Sequence, residues 1–213
     1  RFYELIPDST FYQKPVTPID NLSVLAAKSE LVNSLLDFEV SSKILLGALY
    51  RMKEIHPLDY CFEALNIRLL PLAQERREYK LIKKYLKKGC RNYKDGFIIN
   101  IFALERRGEA ERISQWKGLK NRMFLWHGSK LSNFMGILNQ GLRIAPPEAP
   151  VSGYRLGKGI YLADMISKST PYCYASSSGG TFCIMVCEAA CGTFNEKYHD
   201  DFYASNLPPG THR

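Results

Sequence analysis

The sequence predicts an α+β fold, with an all-helical part over residues 1–90 and a β-sheet part over residues 91–213. Three observations predict it. Apolar residues ahead of Lys88 recur at helical spacing, a lysine-rich amphipathic run ends at Gly89, and beyond it the apolar residues gather in short runs rich in Ile, Phe and Val. Runs of that length and composition suit strands better than core helices. The change of character falls between Lys88 and Lys94.

In "SELVNSLLDFEVSSKILLG", Leu31, Leu35, Phe38 and Leu45 form one helical stripe, and Val32, Leu36, Val40 and Ile44 form a second beside it. So broad an apolar face predicts a helix deep in a bundle, stopped by Gly47. "HPLDYCFEALNIRLL" predicts another helix, opened by Pro57 and closed by Pro71. In "KLIKKYLKK", Tyr79, Ile82 and Leu86 share a face opposite the lysines, whose charges suit the C-terminal end of a helix dipole.

"GFIINIFAL" (96–104) is apolar on both faces and predicts a buried strand; "RMFLWHG" predicts a second. "LSNFMGILNQGL" predicts a short helix capped by Ser132, with Phe134, Ile137 and Leu138 facing inward and Gly141 ending it. "PPEAP" (146–150) is a stiff loop. "GKGIYLAD" predicts a strand entered from a glycine turn, "TFCIMVCEA" predicts a further strand, and "SSSGG" (176–180) predicts a flexible turn.

The 213 residues carry a formal net charge of +8. That charge fits a nucleic acid or polyanionic partner, and equally a solvated basic surface. No apolar stretch is long enough to span a bilayer, so no membrane association is expected. "RFYELIPDST" lacks the apolar core of a signal peptide, and the absence of an initial Met suggests a fragment. The six cysteines contain no C-x-x-C pair and no histidine at zinc spacing, so no metal is expected and free thiols suggest a reducing compartment. Cys183, Cys187 and Cys191, spaced by four, read as buried thiols on one face.

"GYRLGKGIY" fails as a phosphate loop: three residues separate Gly153 from Gly157, and Gly159 follows Lys158 where Ser or Thr is needed. It fails as a dinucleotide fingerprint because it precedes a predicted strand instead of following one. What remains is a constellation. His127, Gly128 and Ser129 close one strand, Tyr161 follows the glycine turn, and "SKSTPYC" supplies Lys168, Ser169 and Tyr172. Two tyrosines can clamp a flat ring, Gly128 lets a planar amide approach the backbone, two serines offer hydroxyls, and His127 can hold a ribose hydroxyl. Together they describe the nicotinamide half of NAD+. Singly, each residue also reads as an ordinary core or surface side chain.

"LWHGS", "GLRIAPPEAP", "GKGIYLADMISKS" and "YC" together resemble the catalytic region of the DNA-damage-responsive poly(ADP-ribose) polymerases. "RFYELIP" and "LLDFEV" resemble the helical regulatory domain that precedes it. The resemblance covers nearly the whole chain. It implies a partial regulatory domain over residues 1–90, then a mostly antiparallel ADP-ribosyltransferase domain over residues 91–213 with its C-terminal strands absent. It implies NAD+ as substrate, His127 on the adenine-side ribose, Tyr161 and Tyr172 on the two faces of nicotinamide, and Gly128 and Ser169 on the carboxamide. Ser129 and Arg143 would contact the adenosine side, and Lys168 would lie near the reacting centre. His127, Tyr161 and Lys168 are the catalytic candidates.

Several positions depart from the family. The triad glutamate is absent through Arg213, and Glu196 in "FNEKY" follows "CEAACG" too closely to replace it, so it reads as a loop carboxylate. Leu162 stands where the family usually has Phe, Pro171 adjoins Tyr172, and Asn33 replaces a usual acid while Asp37 matches. The resemblance implies transfer of ADP-ribose to protein acceptors, automodification included, with chain formation in a nuclear response to DNA breaks sensed by domains outside this chain. It also implies that the helical part restrains activity, so that deletion ahead of about Lys88 raises it. An inactive or mono-transferring homologue and a helical interaction module are the competing readings.

Overall fold

The computed structural model describes residues 3, 15, 18–94, 97–144 and 154–212, without the side chains of residues 30, 33, 34, 36, 37 and 177. The expectations for "RFYELIP", "PPEAP", Leu36, Asn33 and Asp37 therefore lie outside what is described.

Asn21 opens the first helix, α1 (Leu22–Arg51): its side-chain oxygen accepts the Val24 N–H at 2.9 Å. Its buried residues include Ile44 of the second predicted stripe and Ala48 one turn on, whereas Leu31, Leu35, Phe38 and Leu45 of the first stripe are exposed. The expected deep burial is therefore corrected to one buried face among the described residues. Gly47 does not stop the helix. A Cβ there would run into the Tyr60 ring, so the glycine lets a second helix pack closely. That helix, α2 (Pro57–Leu65), begins on a His56 cap with proline in its first turn. It ends earlier than expected, because Asn66 adopts the left-handed conformation (φ 55°) and turns the chain into strand β1 (Ile67–Pro71).

The lysine-rich segment forms α3 (Arg77–Gly89), burying Tyr79 and Leu86 and placing Lys87 and Lys88 in its last turn, as expected. The next strand, β2 (Phe102–Arg106), lies later than predicted, and Phe97, Ile99 and Phe102 are exposed instead of buried. Among the described residues β2 pairs only with β1, antiparallel, Ile67 opposite Arg106 and Pro71 opposite Phe102. A strand partner pairs along an edge and covers neither face of such a run.

A short helix, α4 (Glu109–Ser114), leads to β3 (Arg122–Gly128). A 3₁₀ turn (Leu131–Asn133) then enters α5 (Phe134–Gln140), which buries Phe134 and Ile137 and ends on Gly141 at φ 82°. Ser132 sits inside the 3₁₀ turn and caps nothing, a correction to the expected N-cap. After α6 (Ile166–Ser169) come 3₁₀ turns over Thr170–Cys173 and Ala175–Ser178, and then β4 (Ile184–Ala190). β4 pairs antiparallel with β3 over the full length, Arg122 opposite Ala190 and Gly128 opposite Ile184.

"GKGIYLAD" forms no strand. It touches β3 through a single bridge, Trp126 with Ala163, whose two N–O distances are 2.7 and 2.9 Å. The preceding turn closes on the Tyr161 side chain instead of on a ladder. The core sits at this junction: Leu86 of α3, Trp126 of β3 and Ile166 of α6, with Ile82, Tyr85, Ile184 and Val186 packed around them. Three elements far apart in sequence thus meet behind the end of β3.

Candidate functional site

The apolar run of β3 buries Trp126 and so fixes where His127, Gly128 and Ser129 emerge. Trp126 is 1% exposed, pinned by the Ala163 bridge and by the Tyr85 ring stacked on it at 5.1 Å. The next residue, His127, places Nδ1 at 3.0 Å from the Tyr161 carbonyl. A carbonyl only accepts, so this bond requires Nδ1–H; in the neutral ring it is Nε2 that carries the lone pair. The neutral ring that follows the apolar run can thereby accept a hydrogen bond from a hydroxyl at Nε2.

Gly128 is a glycine for a packing reason that the sequence does not display. A Cβ there would overlap the Ser169 carbonyl and approach the Cys173 sulfur at 3.1 Å. Ser169, at the end of α6, is buried, and its hydroxyl donates to the Trp126 carbonyl at 3.0 Å. Its proton is committed, so its remaining capacity toward a ligand is as an acceptor, which matches an amide N–H. Ser129 accepts from Asn133 Nδ2 at 3.1 Å, which keeps its own proton available.

Tyr161 is oriented by its hydroxyl, which donates to the Gly157 carbonyl at 2.7 Å and accepts the Leu156 N–H at 3.0 Å. Tyr154 stacks on its ring at 6.0 Å, and the residue is 43% exposed. Gly157 has φ 69°, and a Cβ on it would meet the Phe202 carbonyl at 2.8 Å. The turn is braced from residues 200–205, through Arg155 on Asp200 at 2.6 Å and the Asp201 N–H on the Arg155 carbonyl at 2.8 Å. Asp201 is held below the usual carboxylate range by its Lys197 bond first and then by the Tyr203 N–H.

Contacts join His127 to Tyr161 and Gly128 to Ser169, and they surround Ser129 with Asn133. Tyr172 lies in the 3₁₀ turn and is 56% exposed, and Pro171 occupies the first turn, the place where proline is tolerated. Lys168 is exposed on α6, one residue before Ser169. Arg143 is exposed beyond α5 and donates to Gln140. Leu162 is half-buried, and Glu196 is an exposed loop carboxylate accepting the Tyr198 hydroxyl at 2.8 Å.

Residues that sequence reasoning missed complete the back of the site. Cys173 is buried, and its sulfur lies against the Ser169 and Cys183 carbonyls; burial chiefly pushes its thiol pKa upward. Tyr85 reaches the site from α3. Its signal in the sequence is a polar-tipped aromatic at the edge of the Tyr79–Ile82–Leu86 stripe. Among the described residues no group of three His, Cys, Asp or Glu side chains could hold a metal ion. No described helix is long and apolar enough to cross a membrane.

Two family models match the chain: "Poly(ADP-ribose) polymerase catalytic domain" over residues 76–213 and "Poly(ADP-ribose) polymerase, regulatory domain" over residues 1–62. Poly [ADP-ribose] polymerase 2 of Arabidopsis thaliana is 41% identical over 98% of this chain and 33% of its own length. The Zea mays protein of the same name is 43% identical over 98% of this chain and 32% of its own. Poly [ADP-ribose] polymerase 1 of Gallus gallus is 41% identical over 100% of this chain and 21% of its own. The chain thus spans about a third of the plant relatives and about a fifth of the avian one.

Proposed function

This chain belongs to the poly(ADP-ribose) polymerase family, and from that premise we propose that it is the NAD+-binding part of an ADP-ribosyltransferase. The observation that carries the reading is the 3.0 Å bond from His127 to the Tyr161 carbonyl. It joins the His-Gly-Ser strand end to the tyrosine segment, and Ser169 is fastened to the same strand one residue earlier.

The reaction breaks the bond between C1″ of the nicotinamide-side ribose and the ring nitrogen. Nicotinamide leaves with the electron pair, C1″ gains oxocarbenium character, and a side-chain oxygen of the acceptor protein attacks it, losing its proton to water. His127 Nε2 accepts a hydrogen bond from a hydroxyl of the adenine-side ribose. Ser169 accepts from the carboxamide N–H, and the backbone of Gly128 meets the same amide. The free face of Tyr161 stacks on the nicotinamide ring, and Tyr172 is assigned the opposite face. Ser129 and Arg143 serve the adenosine side, and Lys168 lies near the reacting centre. Holding the leaving group and ribose in one orientation lowers the entropic part of the barrier.

The wider reading extends to acceptor proteins, the chain itself among them, and to poly(ADP-ribose) formation in the nucleus after DNA breaks are sensed by other domains. The division into regulatory and transferase parts near residue 90 belongs to this reading; the catalytic family match begins ahead of it, at residue 76. The helical part is the restraint, since α1 packs on the 3₁₀ turn and α5 directly after Ser129. The test is nicotinamide release from NAD+ by the full-length protein. Ser169→Ala and His127→Ala are each expected to lower kcat/KM at least tenfold, and benzamide binding is expected to weaken in Ser169→Ala. Full activity in both variants would overturn the reading.

A further inference from the structure

We propose that Tyr85 is a positioning residue for this site, its hydroxyl bracing the strand that ends in His127 against the segment that carries Tyr161; the proposal rests on the NAD+-binding reading of those two residues. β3 meets residues 161–164 at one bridge only, Trp126 with Ala163. On both sides of that bridge a side chain replaces the missing ladder. Toward the end of β3, the His127 imidazole bonds the Tyr161 carbonyl at 3.0 Å. Toward its start, the Tyr85 hydroxyl lies 2.6 Å from the Phe124 carbonyl and 2.8 Å from the Asp164 carbonyl.

Two carbonyl oxygens facing one gap repel each other. A single hydroxyl proton shared between them turns that repulsion into attraction. The hydroxyl is delivered rigidly, because the Tyr85 ring stacks on Trp126 at 5.1 Å and 17° and the neighbouring Leu86 is buried in the same core. Burial, and then the Asp164 charge, raise the phenol pKa, so it remains a donor at neutral pH. Without that oxygen, residues 161–164 are held to β3 by the bridge and the His127 bond, with nothing on the Asp164 side, and can pivot about the bridge. The pivot moves the Tyr161 carbonyl, the partner that fixes the tautomer and direction of His127.

A brace of the core alone would cost stability and nothing specific to His127. The two roles separate in a double-mutant cycle on the full-length protein. The variants are Tyr85→Phe, which keeps the stacked ring, His127→Ala, and the pair. The readouts are the affinity of a non-hydrolysable NAD+ analogue by calorimetry, kcat/KM for NAD+, and the thermal midpoint, with binding and kinetics measured well below that midpoint. The expected result is a loss of about five- to tenfold in affinity and in kcat/KM for Tyr85→Phe, the scale of one mispositioned hydrogen bond. In the His127→Ala background the same change is expected to cost less than twofold, while the thermal midpoint falls equally in both. Equal losses in both backgrounds, or none in the parent, would overturn the role of Tyr85 and leave the site standing. Unchanged affinity and kcat/KM in His127→Ala alone would remove the site reading and this proposal with it.

Discussion

At position 128 a hydrogen atom stands where any other residue would place a carbon inside the Ser169 carbonyl. The overlap is with backbone, so it cannot be relieved by a rotamer change. Gly128→Ala is therefore expected to cost about 1–3 kcal/mol of stability, the range for overpacking a filled core, and to push α6 away from β3. Urea unfolding reads the first effect, and benzamide calorimetry on the full-length protein reads the second as a loss of at least tenfold. The motif residues were legible in the sequence as residue types: His127, Gly128, Ser129, Tyr161 and Ser169 all lie around the end of β3. Their bonds were not legible. Nothing in "SKSTPYC" says that the Ser169 proton is spent on the Trp126 carbonyl, because that carbonyl lies 43 positions away.

Among the elements, α5 shows how the segment after the motif is held. The Arg106 guanidinium, 8% exposed, donates to the Leu138 carbonyl at 2.8 Å and to the Ile137 carbonyl at 3.1 Å, and pairs with Glu109 at 2.5 Å. A cation at the C-terminal end of a helix satisfies carbonyls that the helix leaves open. Arg106→Met takes a partner from the Leu138 carbonyl and the Glu109 carboxylate, while the Ile137 carbonyl keeps the Gly141 N–H at 2.8 Å; the expected loss is about 1–3 kcal/mol, seen as a lower urea midpoint at unchanged slope.

Strand β4 carries a different signature. Burial pushes the Cys187 thiol from 9.0 up to about 11, with Arg106 in partial opposition. Between those values the unfolded chain has lost the proton and the folded chain keeps it, so stability is full below about pH 9 and falls as pH rises toward 11. The loss reaches about 2–3 kcal/mol if the whole shift is expressed. Cys173, Cys183 and Tyr85 are shifted in the same direction and add to the slope. Unfolding under reducing conditions across this range checks the sign, and Cys187→Ala is expected to flatten the dependence.

Over the whole molecule, the helical part reaches the site through α5. Asn139 of α5 donates to the Ala64 and Leu65 carbonyls at the end of α2, at 3.2 and 3.1 Å. Deleting residues 1–65 of the full-length protein removes α1 and α2 and is expected to raise NAD+ turnover in the absence of DNA. Unchanged turnover would count against the restraint. Extending the deletion to Lys88 is expected to lose solubility as well, because it removes β1, Tyr85 and Leu86 and leaves Trp126 uncovered.

The sequence by itself determined the α+β class, the lysine-rich helix, the two strands that pair as β3 and β4, and the identity of the motif residues. Each of these follows from periodicity or from residue type within a few positions. Only the tertiary structure decided that Gly47 is a packing contact, that "IRLLP" is a strand, that "GKGIYLAD" is not one, and that Tyr85 faces the Trp126–Ala163 bridge. Those outcomes depend on what lies opposite each segment: a tyrosine ring, a strand partner, or the absence of one. A chain read locally carries no record of its opposite neighbour, and the free energy that chooses between conformations is set by that neighbour.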